Sequence, residues 1–139
     1  MPSIDTNVLV RWLTNDDAAQ CALIQQLLQA TIVAGQRLYV PVTVLLETEW
    51  VLRARYGFDR MALTLAFDAL LSVPELELMD EIAVERALHL YKQDGAPDFA
   101  DCLHISLAGL VGQGPLLTFD LRAASTEGAL LLPRAIQDD

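Results

Sequence analysis

Lysine is nearly missing from this chain. Lys92 stands alone among 139 residues, and arginine brings the basic total to only nine against 19 acids, a net charge of −10. Binding a polyanion rests on Lys and Arg neutralising its phosphates, so this balance taken alone argues against a broad nucleic-acid surface. Cysteine is scarce too. Cys21 and Cys102 are isolated, with no CxxC pair and no histidine at ligand spacing. Both are expected to be reduced, buried, small hydrophobes, which sets zinc and thiol chemistry aside. No run approaches the ~20 apolar residues that span a bilayer, and the first residues lack the basic and apolar segments of a secretion signal. A cytoplasmic protein with no membrane partner is the expectation. Repeats, low-complexity tracts and linkers are also absent, so residues 1–139 read as one domain.

What is present is a hydrophobic chain, 53% apolar, cut into short pieces. Pro2 to Asp5 is long enough only for a strand. Asp16 or Asp17 suits a helix N-cap, with Leu23/Leu27 and Ile24/Leu28 at i,i+4 spacing behind it and Gly35 to end the helix. Leu38 to Val40 reads as a buried strand. Thr43 is the expected cap of a helix to about Tyr56, closed by Gly57, and Asp59 of one to about Ser72. Leu76 to Leu78 is a strand, Asp80 opens a helix through Leu90, and Pro97-Asp98 opens another through Leu110 to Gly112. Leu116 to Phe119 and Leu130 to Leu132 complete the strands. Strands this short, alternating with helices, predict an α/β fold: a mostly parallel central sheet flanked by helices in an α/β/α arrangement.

Parallel α/β sheets place their polar sites at the carboxyl ends of strands, which singles out certain acids. Asp5 ends the first strand and Asp120 ends the strand Leu116 to Phe119. Each is followed by helix-like sequence, so each alone has the ordinary explanation of an N-cap. Glu47 shares a helical face with Val44, Val51 and Thr43, predicting a carboxylate on a buried face, where it needs a partner such as Arg11 or Arg53. Glu49 points the other way and reads as solvated. Asp98 and Asp101 lie three apart at the start of one helix, Asp98 in a capping position and Asp101 ahead of an apolar surface. Converging carboxylates repel unless a cation compensates them, and an all-oxygen set selects Mg²⁺ or Mn²⁺ over zinc. Thr6, Asn7 and Thr118 add hydroxyl and amide groups beside the acids. His89 and His104 have no matched partner and read as structural.

The stretches "IDTNVLVRWLTNDD", "VTVLLETEWVLRARYG", "DFADCLHISLA" and "LLTFD" together resemble the successive motifs of PIN domains, in particular VapC-type toxins. No one of them is specific, but their order and spacing extend along the whole chain. The resemblance implies a Mg²⁺-dependent endoribonuclease that cuts RNA phosphodiesters with a metal-activated water. It carries the acidic quartet onto Asp5, Glu47, Asp101 and Asp120 as metal-holding catalytic residues, with Asp98, Asn7, Thr6 and Thr118 accessory. It also implies a homodimer restrained by a cognate antitoxin protein. Arg11 and Arg53, with Arg55, are the candidates for RNA phosphate contacts.

Two other classes compete. An aspartyl-phosphate enzyme needs a lysine at a strand end; Lys92 lies on a predicted helix and no DxDxT follows the first strand. A catalytically inactive PIN-fold module would keep the fold, use the acids as caps and ion pairs, and bind protein partners. Nucleotide-dependent chemistry is disfavoured, because "GLVGQGP" fits neither a P-loop nor a dinucleotide fingerprint.

Overall fold

Backbone satisfaction at the N-terminus explains how the chain begins. In the computed structural model, which describes residues 1–137, the Ile4 N–H donates to the Tyr39 carbonyl at 3.0 Å and the Tyr39 N–H to the Pro2 carbonyl at 2.9 Å. The expected first strand is thus reduced to one parallel bridge, Ser3 with Tyr39. Asp5 then turns the chain directly into a helix.

Met1 to Met79 forms one compact unit and the chain from Asp80 a second. The first holds α1 (Thr6–Thr14), α2 (Ala18–Val33), β1 (Leu38–Val40), α3 (Val42–Tyr56), α4 (Arg60–Leu71) and β2 (Leu76–Leu78). β1 and β2 pair in parallel, Leu38 opposite Leu76 and Val40 opposite Leu78. Helix α1 packs on α2 and α3, and α4 on α3 and β2. Leu9, Leu38, Leu45, Leu52, Leu63, Phe67 and Leu76 are almost wholly buried and make its core. The second unit holds α5 (Glu81–Tyr91), α6 (Phe99–Leu110), β3 (Leu116–Thr118), α7 (Leu121–Ala124), β4 (Ala129–Leu131) and α8 (Leu132–Gln137). There α5 packs along α6, with Tyr91 and Phe99 edge to face at 5.6 Å. β3 and β4 are again parallel, Leu116 opposite Ala129. The expected mixed α/β architecture of short parallel strands flanked by helices is what forms. Its ladders are two pairs, β1 with β2 and β3 with β4.

Local chemistry accounts for the element ends. Asp17, the second of the two candidates, caps α2 by accepting from the Gln20 N–H at 3.0 Å, and Asp59 caps α4 from the Ala62 N–H at 2.8 Å. Gly57 ends α3 with φ +69°, a conformation glycine adopts without steric cost. Two of the boundaries that differ from expectation have a clear cause. Thr43 does not cap α3: the N-cap is Pro41, whose φ of −60° leads straight from β1 into the helix without a side-chain cap bond. The last strand closes one residue early because Leu132 already begins α8, with Pro133 in the first turn, where a missing N–H costs nothing. Cys102 is buried as expected, whereas Cys21 is only half-buried; both thiols are free. Among the described residues no helix is long and apolar enough to cross a membrane.

Gly128, just before β4, has φ +97°, and a Cβ there would lie 2.9 Å from Ile105 Cγ2 on α6. Gly109, inside α6, has open space where its Cβ would be. Gly128→Ala is therefore expected to cost roughly 1–3 kcal/mol through strain at the left-handed backbone and the clash with Ile105. Gly109→Ala is expected to gain roughly 0.5–1 kcal/mol. Urea melts of the two variants check both signs.

Candidate active site

In the first unit the site begins with the turn at Asp5. Its backbone is extended, and Oδ1 accepts the Val8 N–H at 3.0 Å, capping α1. The cap consumes one carboxylate oxygen and fixes the direction of the other. Thr6, the first helical residue, is buried, and its hydroxyl donates a short hydrogen bond to Glu47 Oε1 on α3. One proton on Thr6 thus orients the second acid. Asp5, Thr6, Asn7 and Glu47 line a single cavity of about 400 Å³, whose other wall is Val44, Trp50, Val51 and Arg55 of α3. The sequence motif DTN and the glutamate of α3 therefore meet.

The burial expected on α3 is inverted. Glu47 is exposed to the cavity, and Glu49 is the buried acid, 4% exposed. The reason is angular. The core face of α3 is Leu45, Thr48, Glu49 and Leu52, and the row Val44–Glu47–Val51 lies beside it along the cavity. Glu49 resolves its burial with Arg53, at 2.9 Å and one turn on. Glu47 needs no such partner and has none among the described ion pairs.

Arg11 and Arg53, expected at RNA phosphates, are both engaged within the chain. Arg53 holds Glu49. Arg11 donates to Asp16 at 3.2 Å, Tyr56 Oη at 2.8 Å and Gln20 Oε1 at 2.7 Å, clasping the ends of α1, α2 and α3. The Tyr56 and Thr14 hydroxyls together with Arg11 hold the Asp16 carboxyl below its usual range. Arg55 differs. Among the described residues it has no ion pair, and its guanidinium lies 5.9 Å from the centre of the Trp50 ring.

In the second unit Asp98 and Asp120 both act on Asp101. Asp98 occupies the N-cap position of α6 but makes no side-chain cap bond, so its carboxylate is not spent on the helix. Asp101 lies in the first turn of α6, part-buried. Burial, and after it the charges of Asp120 and Asp98, push its carboxyl above the usual range, while His104 one turn on pulls it back. Asp120 caps α7 through the Ala123 N–H at 2.7 Å, and its own N–H donates to Thr118 Oγ1 at 3.0 Å. Thr118 thus fixes the strand end from which Asp120 projects. Both histidines, expected to be structural, are exposed, and His104 lies one turn from Asp101.

Every donor in these two groups is an oxygen, and none of the acids Asp5, Glu47, Asp98, Asp101 and Asp120 shares an ion pair with a guanidinium among the described residues. That donor set suits a hard divalent cation. No three His, Cys, Asp or Glu side chains are gathered as a preformed metal group among the described residues. The fit is therefore to an ion that keeps part of its water shell, as Mg²⁺ does when one or two carboxylates hold it.

The class the fold defines is a mixed α/β domain of short parallel strands, with acids free of basic partners, among the described ion pairs, at its strand ends and helix starts. The sequence matches the PIN domain over residues 3–129, and the chain belongs to the PIN domain family. PIN domains have a nuclease-type fold and generally use divalent metal ions. No curated protein matches the chain. Sequence reasoning missed Trp50 as a site residue. The signal was available, since Trp50 follows Glu47 at helical i,i+3 spacing.

Asp101 yields a pH prediction. Its folded pKa is raised, so between the unfolded value near ~3.9 and the folded value the native state holds more protons, and stability falls as pH rises through that window. Asp101→Asn removes the penalised charge. It is expected to raise the melting temperature at neutral pH, and the gain should vanish below pH ~4, where the carboxyl is protonated in both states. Thermal melts from pH 3 to 8 read this directly.

Proposed function

We propose that this PIN domain is a Mg²⁺-dependent endoribonuclease, the VapC-type toxin of a type II toxin–antitoxin pair. Asp5 and Glu47 in the first unit and Asp101 and Asp120 in the second are the metal-holding residues of this reading, with Mn²⁺ an acceptable substitute for Mg²⁺. What carries the reading is the set of strand-end and first-turn carboxylates left without basic partners in a chain of this family. When bound, the ion supplies Lewis-acid stabilisation of the phosphodiester and a lowered pKa for the attacking water. The chain's own contribution is placement. The α1 and α7 caps fix Asp5 and Asp120, the Thr6 hydroxyl orients Glu47, and Thr118 sets the strand end beneath Asp120. Asn7 and Asp98 are accessory, Asn7 on the cavity wall and Asp98 adding negative charge beside Asp101. The toxin role, the homodimer and the cognate antitoxin rest on the ordered motif resemblance.

A non-catalytic PIN-fold module is the competing reading. It is favoured by the fact that Asp5 and Asp120 do serve as helix caps. Substitution by asparagine separates the two, because Asn caps a helix about as well as Asp but is a far poorer metal ligand. Asp5→Asn and Asp120→Asn are expected to melt within a degree or two of the parent and to lose RNA cleavage by at least ~100-fold. Cleavage by the parent should require Mg²⁺ or Mn²⁺ and stop in EDTA, and Mn²⁺ should raise its melting temperature. Equal cleavage in EDTA would sink the metal mechanism, and an asparagine variant that cleaves normally would leave Asp5 and Asp120 as caps alone.

A further inference from the structure

The wall of the first-unit cavity opposite Asp5 carries a feature that metal chemistry does not use. Trp50 is 48% exposed, a large aromatic face left open beside two carboxylates, a buried threonine and an asparagine. Among the residues that line this cavity Trp50 is the one large aromatic, and its ring is half-exposed rather than packed into the core as Phe67 is. Arg55 covers part of the ring from 5.9 Å. Of the arginines, Arg11, Arg37, Arg53 and Arg86 are each tied to a carboxylate. Arg55 lines the cavity with no ion pair among the described residues. Here an aromatic plane and a guanidinium with donors to spare share one polar cavity with Asp5 and Glu47.

We infer that Trp50 and Arg55 form the substrate subsite of this chain: an unpaired nucleotide stacks its base on Trp50, and Arg55 takes the adjoining phosphate. The inference rests on the nuclease reading and names its substrate class as single-stranded RNA. Every base presents a π face, so an aromatic platform binds unpaired bases with little regard to sequence, whereas a duplex keeps its bases stacked on one another. A guanidinium reads a phosphate by paired N–H donors and suits stacking on an aromatic ring, two properties an ammonium lacks. Arg55 thereby also answers the low basic content, because one placed cation beside the site does what a scattered surface charge does not.

The test is anisotropy of a labelled, unstructured RNA oligonucleotide, titrated in Mg²⁺ at low salt with the full chain; every protein in the titration, the parent included, carries Asp120→Asn so that the RNA stays intact. A duplex of the same sequence runs in parallel. Trp50→Leu and Arg55→Gln are expected to raise the Kd for the single strand roughly 5- to 100-fold. Trp50→Phe, which keeps a ring, should do less, and Arg37→Gln, remote from the cavity lining, should match the parent. Arg55→Gln should also flatten the salt dependence of binding by about one phosphate contact. In Mg²⁺ kinetics the loss should fall mainly on KM. The subsite is overturned if Trp50→Leu and Arg55→Gln bind the single strand like the parent, if they weaken the duplex equally, or if the parent binds no RNA. Cleavage by the parent that is lost in Asp120→Asn upholds the nuclease reading whichever way the Trp50 and Arg55 variants bind, so the two ideas fail separately.

Discussion

A carboxylate has two oxygens, and at Asp5 and Asp120 the fold uses one of them. In each case a short extended segment ends, the aspartate accepts an N–H from three residues on, and a helix begins with no intervening loop. This single hydrogen bond sets where α1 and α7 start and holds the side chain in one orientation. The second oxygen is then presented at low entropic cost, beside a helix N-terminus whose partial positive charge favours an anion. Under the proposed function, capping and metal holding are therefore compatible: the cap would make the carboxylate rigid, and a positioned carboxylate is what a hydrated Mg²⁺ ion requires.

The same economy appears on α3, where two glutamates two residues apart have opposite fates. Glu49 enters the core face and is neutralised by Arg53; Glu47 stays at the cavity and is oriented by the Thr6 hydroxyl. A neutral donor fixes Glu47 without cancelling its charge. Had an arginine done so, the carboxylate would have lost most of its affinity for a cation. In the second unit the arrangement is less comfortable. Asp101 is part-buried near Asp120 and Asp98, and only the exposed His104 opposes their charge. Such residual repulsion is a stability cost that a bound divalent cation would remove.

Most of this was legible in the sequence, and the failures have identifiable causes. Asp5, Asp17, Asp59 and Asp120 announce helix starts because a short acid before a helical segment satisfies orphan N–H groups, and all four do so. β1 and β2 were visible as short apolar runs. Thr43 misled because a capping residue was present, but Pro41 had already fixed the backbone two positions earlier. Glu47 and Glu49 were exchanged because α3 is apolar over much of its girth; when hydrophobic residues surround a helix, periodicity no longer says which face the core takes. Only tertiary packing decides that, here the approach of Thr6 of α1 to the row that carries Glu47. The depth of the two histidines, both exposed, was likewise not legible, since a lone histidine on an apolar helix carries no sign of it.

The low basic content looked at first like an argument against a polyanionic substrate, and charge placement changes its meaning. Four of the arginines are tied to acids, so the number available to phosphates is smaller than the composition suggests. A protein of this charge cannot hold RNA by counterion release over a long track, because the slope of that effect scales with the phosphates neutralised. The proposed subsite instead calls for recognition over a short stretch: a metal ion whose charge would invert the sign of an acidic pocket, a stacked base, and one guanidinium. Each of these acts only where it is placed, and none adds affinity elsewhere on the surface. On that proposal a net charge of −10 would work as a filter, repelling nucleic acid from everywhere except the cavity that holds Trp50 and Arg55.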